Sequence, residues 1–144
     1  MNLADLVAFA RTPKWAVEAS VSPSGAPQAA VIGVAVTDRL ELVFDTLGTT
    51  RKAENLRRDP RVAVVLGWDE GQTLQIEGVA DEPTGDELVA LKQVYFARFP
   101  DGPGREGWAG ITYFRVRPRW ARFSDFREGD PVVLTFDHGF FPAG

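Results

Sequence analysis

Cysteine is absent from the 144-residue sequence, and histidine occurs once, at position 138. The first absence removes disulfides, thiolate nucleophiles, cysteine-ligated zinc and iron–sulfur clusters from what the chain can encode, and it fits a reducing compartment. The second means that any histidine triad or two-histidine metal site would have to be built from His138 alone, so that residue reads as structural or solvated. No apolar run approaches the roughly 20 residues of a membrane span, and the N-terminus lacks the basic-then-apolar order of a signal peptide. A net charge of −4 argues against nucleic acid or an anionic membrane as a general partner. The expectation is a soluble, cytoplasmic, single-domain protein, long enough to bury a core without metal or disulfide.

What the chain does contain is mostly strand pattern. Asn2 to Ala10 carries Leu3, Leu6, Val7 and Ala10 at helical spacing, closed by Pro13. Trp15 to Val21 alternates, Ser22-Pro23-Ser24-Gly25 turns, and Pro27 to Val36 returns as the second arm of a hairpin. Leu40 to Phe44 is a third strand, and Thr50 to Arg58 a helix that stops where Asp59 precedes Pro60. The apolar run Val62 to Leu66 predicts a strand buried on both faces, and Thr73 to Ala80 alternates again. Thr84-Gly85-Asp86-Glu87 resembles a capping box opening a helix with Leu88, Leu91, Val94, Tyr95 and Phe99 on one stripe. Pro100 to Gly110 is irregular, Ile111 to Phe123 is a strand bent at Pro118, and Val132 to Phe136 adds a last one. Strands that follow one another directly predict a mainly β fold: a six- to seven-stranded antiparallel split barrel with two or three peripheral helices, residues 1–144 forming one domain.

The run Thr49-Thr50-Arg51-Lys52 stands out because it falls between an apolar strand and a helix. A helix start already carries unpaired N–H donors and about half a positive charge, so two cations in its first turn oppose the dipole. An anion would reverse that conflict, since a phosphate could take backbone N–H groups, a threonine hydroxyl and both basic side chains together. The alternative is a pair of ordinary surface charges on a helix that begins elsewhere. Other motifs read more simply. Gly102-Pro103-Gly104 lacks the Gly-Lys-Ser/Thr ending of a nucleotide loop and reads as a mobile loop. Asp69-Glu70 reads as a solvated hairpin tip, and Arg115, Arg117, Arg119 and Arg122 as a solvent-facing ladder, with a second anion site as the alternative.

Around the corner, Val43-Phe44-Asp45-Thr46-Leu47-Gly48-Thr49-Thr50-Arg51-Lys52-Ala53 continues through Asp59-Pro60-Arg61-Val62 to Gly67-Trp68. This block resembles the pyridoxamine 5′-phosphate oxidase family of FMN-binding split barrels. Weaker agreement extends through Gln75-Ile76-Glu77-Gly78, Tyr95-Phe96 with Pro100, and Glu106-Gly107-Trp108. The resemblance implies that Thr50, Arg51 and Lys52 hold the FMN phosphate. It implies that the isoalloxazine ring lies against Ala30, Val31 and Ile32, with Phe44, Asp45 and Thr46 beside it and Gln72, Thr73 and Trp108 as further cofactor-binding residues. It also implies a homodimer with the flavin at the subunit interface and a small-molecule substrate.

The departures from that family are specific. Ala30 stands where the vitamin B6 oxidases carry an arginine for the cofactor phosphate, and Thr73, with Gln72 next to it, where they carry a ring-contacting glutamine. Phe99 replaces an arginine that reads the substrate phosphate, and Phe123-Ser124-Asp125-Phe126 has no counterpart of their Arg-x-His motif. Losing charged contacts to a substrate phosphate is severe. The expectation is therefore FMN binding and flavin oxidoreduction of an unidentified small molecule, without vitamin B6 oxidation and with no protein side chain assigned as catalytic. A deazaflavin is the alternative cofactor, and a flavin-binding or sensing protein without turnover the alternative function.

Overall fold

The computed structural model describes residues 1–143. Helix α1 (Leu3–Ala10) opens with a capping box in which the Asn2 side chain accepts the Asp5 N–H and Asp5 reciprocates. Strands β1 (Trp15–Val21) and β2 (Pro27–Gly33) form the expected hairpin, its turn closed by the Ser22 hydroxyl accepting the Ala26 N–H. After Gly33 the chain leaves that ladder: the Val34 N–H donates to the Lys14 carbonyl, and β3 (Ala35–Val36) pairs with β4 (Leu42–Leu47). The single strand expected over Pro27 to Val36 is thus two, which brings the total to eight.

Helix α2 (Arg51–Arg58) follows β4, and the β5 (Arg61–Leu66) and β6 (Gln72–Asp81) hairpin follows it. Helix α3 (Gly85–Arg98) leads into β7 (Ile111–Asp125) and β8 (Val132–Phe136). The strands form one curled antiparallel sheet in the order β2-β1-β5-β6-β7-β4-β3, with β8 added to β7. Strand β7 is long enough to pair with β6 along one edge while β4 and β8 share the other, one at each end. Opposite Pro118 the register slips between Glu77 and Gly78, which places the expected bend in a bulge.

Leu6, Leu42, Phe44, Leu66, Leu74, Ile76, Phe114 and Val116 fill the barrel. A second cluster, Ala35, Val43, Leu91, Tyr95, Phe99 and Tyr113, fastens α3 to the outside of β3, β4 and β7.

Three local expectations are corrected. Strand β5 is buried on one face only, since Ala63 is exposed and Val65 half-buried. Thr84 sits at the N-cap of α3 without a side-chain capping bond, and the Glu87 carboxylate accepts from Arg115 instead of turning back to the N-cap. Arg115 is buried in an ion-pair cluster with Asp81 and Glu87, not part of a solvent-facing ladder.

Candidate functional site at the start of helix α2

The sheet's curl creates the setting. Strand β2 ends the hydrogen-bonded path, and β4 is paired by β3 only at Leu42 and Val43 on its free side, so β2 and the rest of β4 face each other with no ladder between them. Helix α2 begins where β4 ends. Thr50 is its N-cap, with extended backbone, and the first helical residue is Arg51. The Thr50 hydroxyl accepts the Ala53 N–H at 3.3 Å, bonds the Leu47 carbonyl at 3.0 Å and lies 3.0 Å from the Thr46 hydroxyl. The backbone N–H groups of Arg51 and Lys52, the next two orphan donors of the helix, find no acceptor among the described residues.

The side chains of Arg51 and Lys52 make no ion pair or hydrogen bond among the described residues, whereas the cations later in α2 are tied down. Arg57 bonds Glu82 and the Gly48 carbonyl, and Arg58 bonds the Val21 carbonyl and Asn55. Asn55 fixes α2 on the β1–β2 hairpin, donating to Ser20 at 3.1 Å and Gln28 at 2.9 Å. The free charge is therefore confined to the first turn, opposite in sense to what the helix dipole favours.

Glu18 of β1 is close enough to that turn for the Lys52 charge to act on it. It is 1% exposed, on the inward face of β1 between Ala30 of β2 and Val64 of β5. Its Oε2 has no hydrogen-bond partner among the described residues. Burial pushes its carboxyl up to about 7, against the opposing pull of the Lys52 charge.

The flank toward α3 is built from charge pairs. Asp45 accepts from Tyr95 at 3.0 Å and from Arg105 at 2.8 Å, and Arg105 also holds Asp101 at 2.6 Å. The hydrogen bond to Asp45 raises the Arg105 pKa further, while burial foremost, and then the Asp45 charge, push the Tyr95 phenol up. The loop after α3, expected to be mobile, is thus anchored at Arg105, and the Gly48 N–H donates to the Gly110 carbonyl at its far end. Trp108, 54% exposed, rides on that loop.

The residues marked out in the sequence divide into two groups. Ala30, Val31 and Ile32 on the free strand, Phe44, Asp45 and Thr46 at the end of β4, Thr50, Arg51 and Lys52 at the corner, and Trp108 on the anchored loop belong to one end of the barrel. Several of their side chains are already committed: the Phe44 ring stacks on Phe114 in the core, Ile32 is buried, and the Asp45 carboxylate is held by Arg105 and Tyr95. These positions offer a ligand their backbone. Gln72 and Thr73 lie at the opposite end of β6, where Gln72 donates to Asp125. The α2 end of that strand is near Ala80, whose N–H donates to Pro60, roughly 25 Å away at strand rise. Within one chain these two are not brought to the corner. Phe99, stacked on Tyr95 with ring centroids 4.8 Å apart, is buried in the core.

Glu18 and Arg105 are the residues that sequence reasoning passed over. Arg105 carried no signal, since its partner is 60 positions away. Glu18 carried one: it is the single charge within the alternating run Trp15 to Val21.

A curled, half-open antiparallel sheet whose free edges flank a helix start defines a split β-barrel. The profile of the family described as pyridoxamine 5′-phosphate oxidase matches residues 4–125, and the chain belongs to that family. A pyridoxine/pyridoxamine 5′-phosphate oxidase of Bordetella avium is 34% identical over 92 residues, covering 63% of this chain and 42% of that protein. The chain thus spans less than half the length of this curated relative. A heme binding protein from Mycobacterium smegmatis superposes with a TM-score of 0.82 at 15% identity, over 96% of this chain and 58% of the other. A pyridoxamine 5′-phosphate oxidase-related, FMN binding protein from Nostoc punctiforme superposes at 0.70 with 14% identity, over 94% and 87%. At these identities the structural likeness establishes the fold. Among the described residues, no helix is long and apolar enough to cross a membrane.

Proposed function

We propose that the chain binds FMN at the Thr50–Arg51–Lys52 corner and works as an FMN-dependent oxidoreductase on a small molecule other than pyridoxamine phosphate. The observation that carries this reading is the pair of unpartnered cations on a helix start whose own amide donors are free. The residues fit the cofactor in three respects. The corner presents N–H groups and two cations to a phosphate, the unpaired edge of β2 presents backbone groups to the heteroatoms of a ring, and Ala30 leaves room for close approach. Bound flavin supplies the hydride and electron chemistry; the chain orients it and shields it from water. The vitamin B6 reaction is disfavoured because Phe99 is buried in the α3 cluster and offers no cation to a substrate phosphate.

The working unit in this reading is a homodimer. The outward face of the β1–β2–β5 sheet carries cross-strand rows Val31–Val17–Val65 and Ala29–Ala19–Ala63, all exposed or half-buried, with Val31 65% exposed. Apolar rows of this kind suit a second copy of the chain. A second copy would also supply Gln72 and Thr73, which one chain leaves far from its own corner. A deazaflavin, whose side chain also carries phosphate, competes for the same corner. A heme held through histidine would use His138, the single imidazole, which is exposed beside Arg119 on a cavity of about 260 Å³.

Adding FMN to the purified protein and following flavin absorbance, fluorescence and bleaching by reductant tests the reading, with a deazaflavin and heme run alongside. Saturable one-to-one FMN binding per chain, followed by turnover with an electron donor and acceptor, is expected. Failure to take up FMN, or tighter binding of either competitor, overturns it.

A further inference from the structure

We propose that Glu18 is a phosphate-contacting residue of the corner, meeting the bound phosphate as a neutral carboxylic acid that donates its O–H. This inference rests on the corner being the FMN-phosphate site, and it adds that the phosphate enters together with one proton drawn from solvent.

Position comes first. The side chain of Glu18 points to the inward face of β1, where Ala16 and Ser20 are its neighbours along the strand. Across the ladder it meets Ala30 on one side and Val64 on the other. Of these only the Ser20 hydroxyl could donate to a carboxyl, and it makes no bond to Glu18. Ser20 and Gln28, the hydroxyl and amide on the same face, are turned toward Asn55, from which both accept. The Glu18 side chain makes no hydrogen bond among the described residues, and its Oε2 is enclosed without a partner. Buried polar atoms in native proteins are almost always satisfied, so an unsatisfied carboxyl within reach of the Lys52 charge, two residues along β1 from the Ser20 that holds α2, points to a ligand.

Charge decides the form in which Glu18 meets that ligand. Lys52 from α2 is the charged group that acts on it, while β2 and β5 present only the neutral Gln28, Ala30, Ile32, Val62, Val64 and Leu66 to this face. Lys52 makes no ion pair among the described residues, Glu18 included, so its charge remains free for an incoming anion. An ionised Glu18 and a phosphate dianion would then compete for one lysine in a poorly solvated pocket, and like charges at close range cannot both persist. Protonation turns the repulsion into a donor–acceptor pair. Burial already favours the proton, and a phosphate that draws the Lys52 charge toward itself strengthens that preference.

The test is FMN affinity between pH 7 and 9, where the FMN phosphate is already a dianion. Wild type and Glu18→Gln are compared by quenching of flavin fluorescence, and proton uptake is measured calorimetrically at pH 8 in two buffers of different ionisation enthalpy. Wild-type affinity should fall on the order of fifty-fold across that range, with about 0.9 proton taken up per FMN at pH 8. Glu18→Gln, a permanently neutral donor, should hold its affinity within about twofold and take up no proton. A flat wild-type profile, a variant that follows the wild type, or wild-type binding without proton uptake overturns the proposal while leaving FMN binding intact. Absence of FMN binding by both proteins at every pH overturns the flavin reading and this one together. The proton count needs only the wild type, so it decides the matter even if the variant does not fold.

Discussion

Tyr95 and Asp45 are joined by a 3.0 Å hydrogen bond that ties helix α3 to the strand running into the corner. Arg105 makes the link three-way, with Nε 2.8 Å from the same carboxylate and its side chain only 19% exposed. Asp45→Asn keeps the shape and removes the charge, leaving Arg105 with Asp101 as its carboxylate partner and a 3.3 Å bond to the Tyr95 hydroxyl. A loss of about 1–3 kcal/mol is expected, below the cost of breaking a fully buried pair because one partner remains. Tyr95→Phe should cost about 1–2 kcal/mol. In a double-mutant cycle read by urea denaturation the two losses should be less than additive. Simple additivity would show that the contacts act independently.

Glu18 gives the stability a pH dependence of definite sign. Its folded pKa, about 7, lies above the 4.5 of an ordinary glutamate, so the folded state holds the proton more tightly. Its contribution is complete below pH 4.5 and is lost as pH rises through 7. By pH 8 the loss amounts to about 3 kcal/mol, an order-of-magnitude figure for a group this buried. Glu18→Gln should therefore become more stable relative to wild type as pH rises from 5 to 8. The difference between the two proteins cancels the carboxylates they share, and a constant difference over that range refutes the shifted pKa.

At the bulge of β6, a Cβ added to Gly78 would fall well inside van der Waals contact with the Arg117 carbonyl oxygen. Backbone on that side is held by the β6–β7 ladder and by Pro118, so it cannot move aside as a flexible side chain would. Gly78→Ala should destabilise the fold by about 2–4 kcal/mol, near the upper end for overpacking. Unchanged thermal unfolding would mean that the bulge is more yielding than its pairing implies.

Much of the fold could be read from local pattern, because the strands alternate or run apolar and their turns carry Gly, Pro, Ser and Asp. The corner was legible for the same reason: Thr50, Arg51 and Lys52 are consecutive, and their conflict with the helix dipole is a local fact. What stayed hidden depends on distant partners or on which face of a strand turns inward. Arg115 looks like a surface charge until Asp81 and Glu87 are brought beside it. In β1 the usual pattern is inverted, with Val17, Ala19 and Val21 outward and Ala16, Glu18 and Ser20 inward. Hydrophobicity alone assigns the faces the other way, and with them the place of Glu18.

That inversion leads to a prediction about assembly. If the outward valines face a second copy of the chain, Val17→Asp with Val31→Asp should shift sedimentation equilibrium from dimer to monomer and weaken FMN binding at least tenfold, because the partner's end of β6 is withdrawn. The same two changes on a free surface would leave both measurements where they were.

Lys52 tests the corner most directly. It is half-buried, unpaired among the described residues, and close enough to Glu18 for its charge to be felt there. Removing it has two opposed consequences. A phosphate at the helix start loses a charge-assisted hydrogen bond, so Lys52→Ala should weaken FMN binding by about 1.5–3 kcal/mol, roughly ten- to a hundred-fold. The fold loses little, because no partner in the chain is left bare and the helix start sheds a cation that opposes its dipole. The expected signature is lower affinity at unchanged or slightly higher thermal stability of the ligand-free protein. Equal FMN titration curves for the two proteins would remove Lys52 from the site, and a large fall in ligand-free stability would make its role structural.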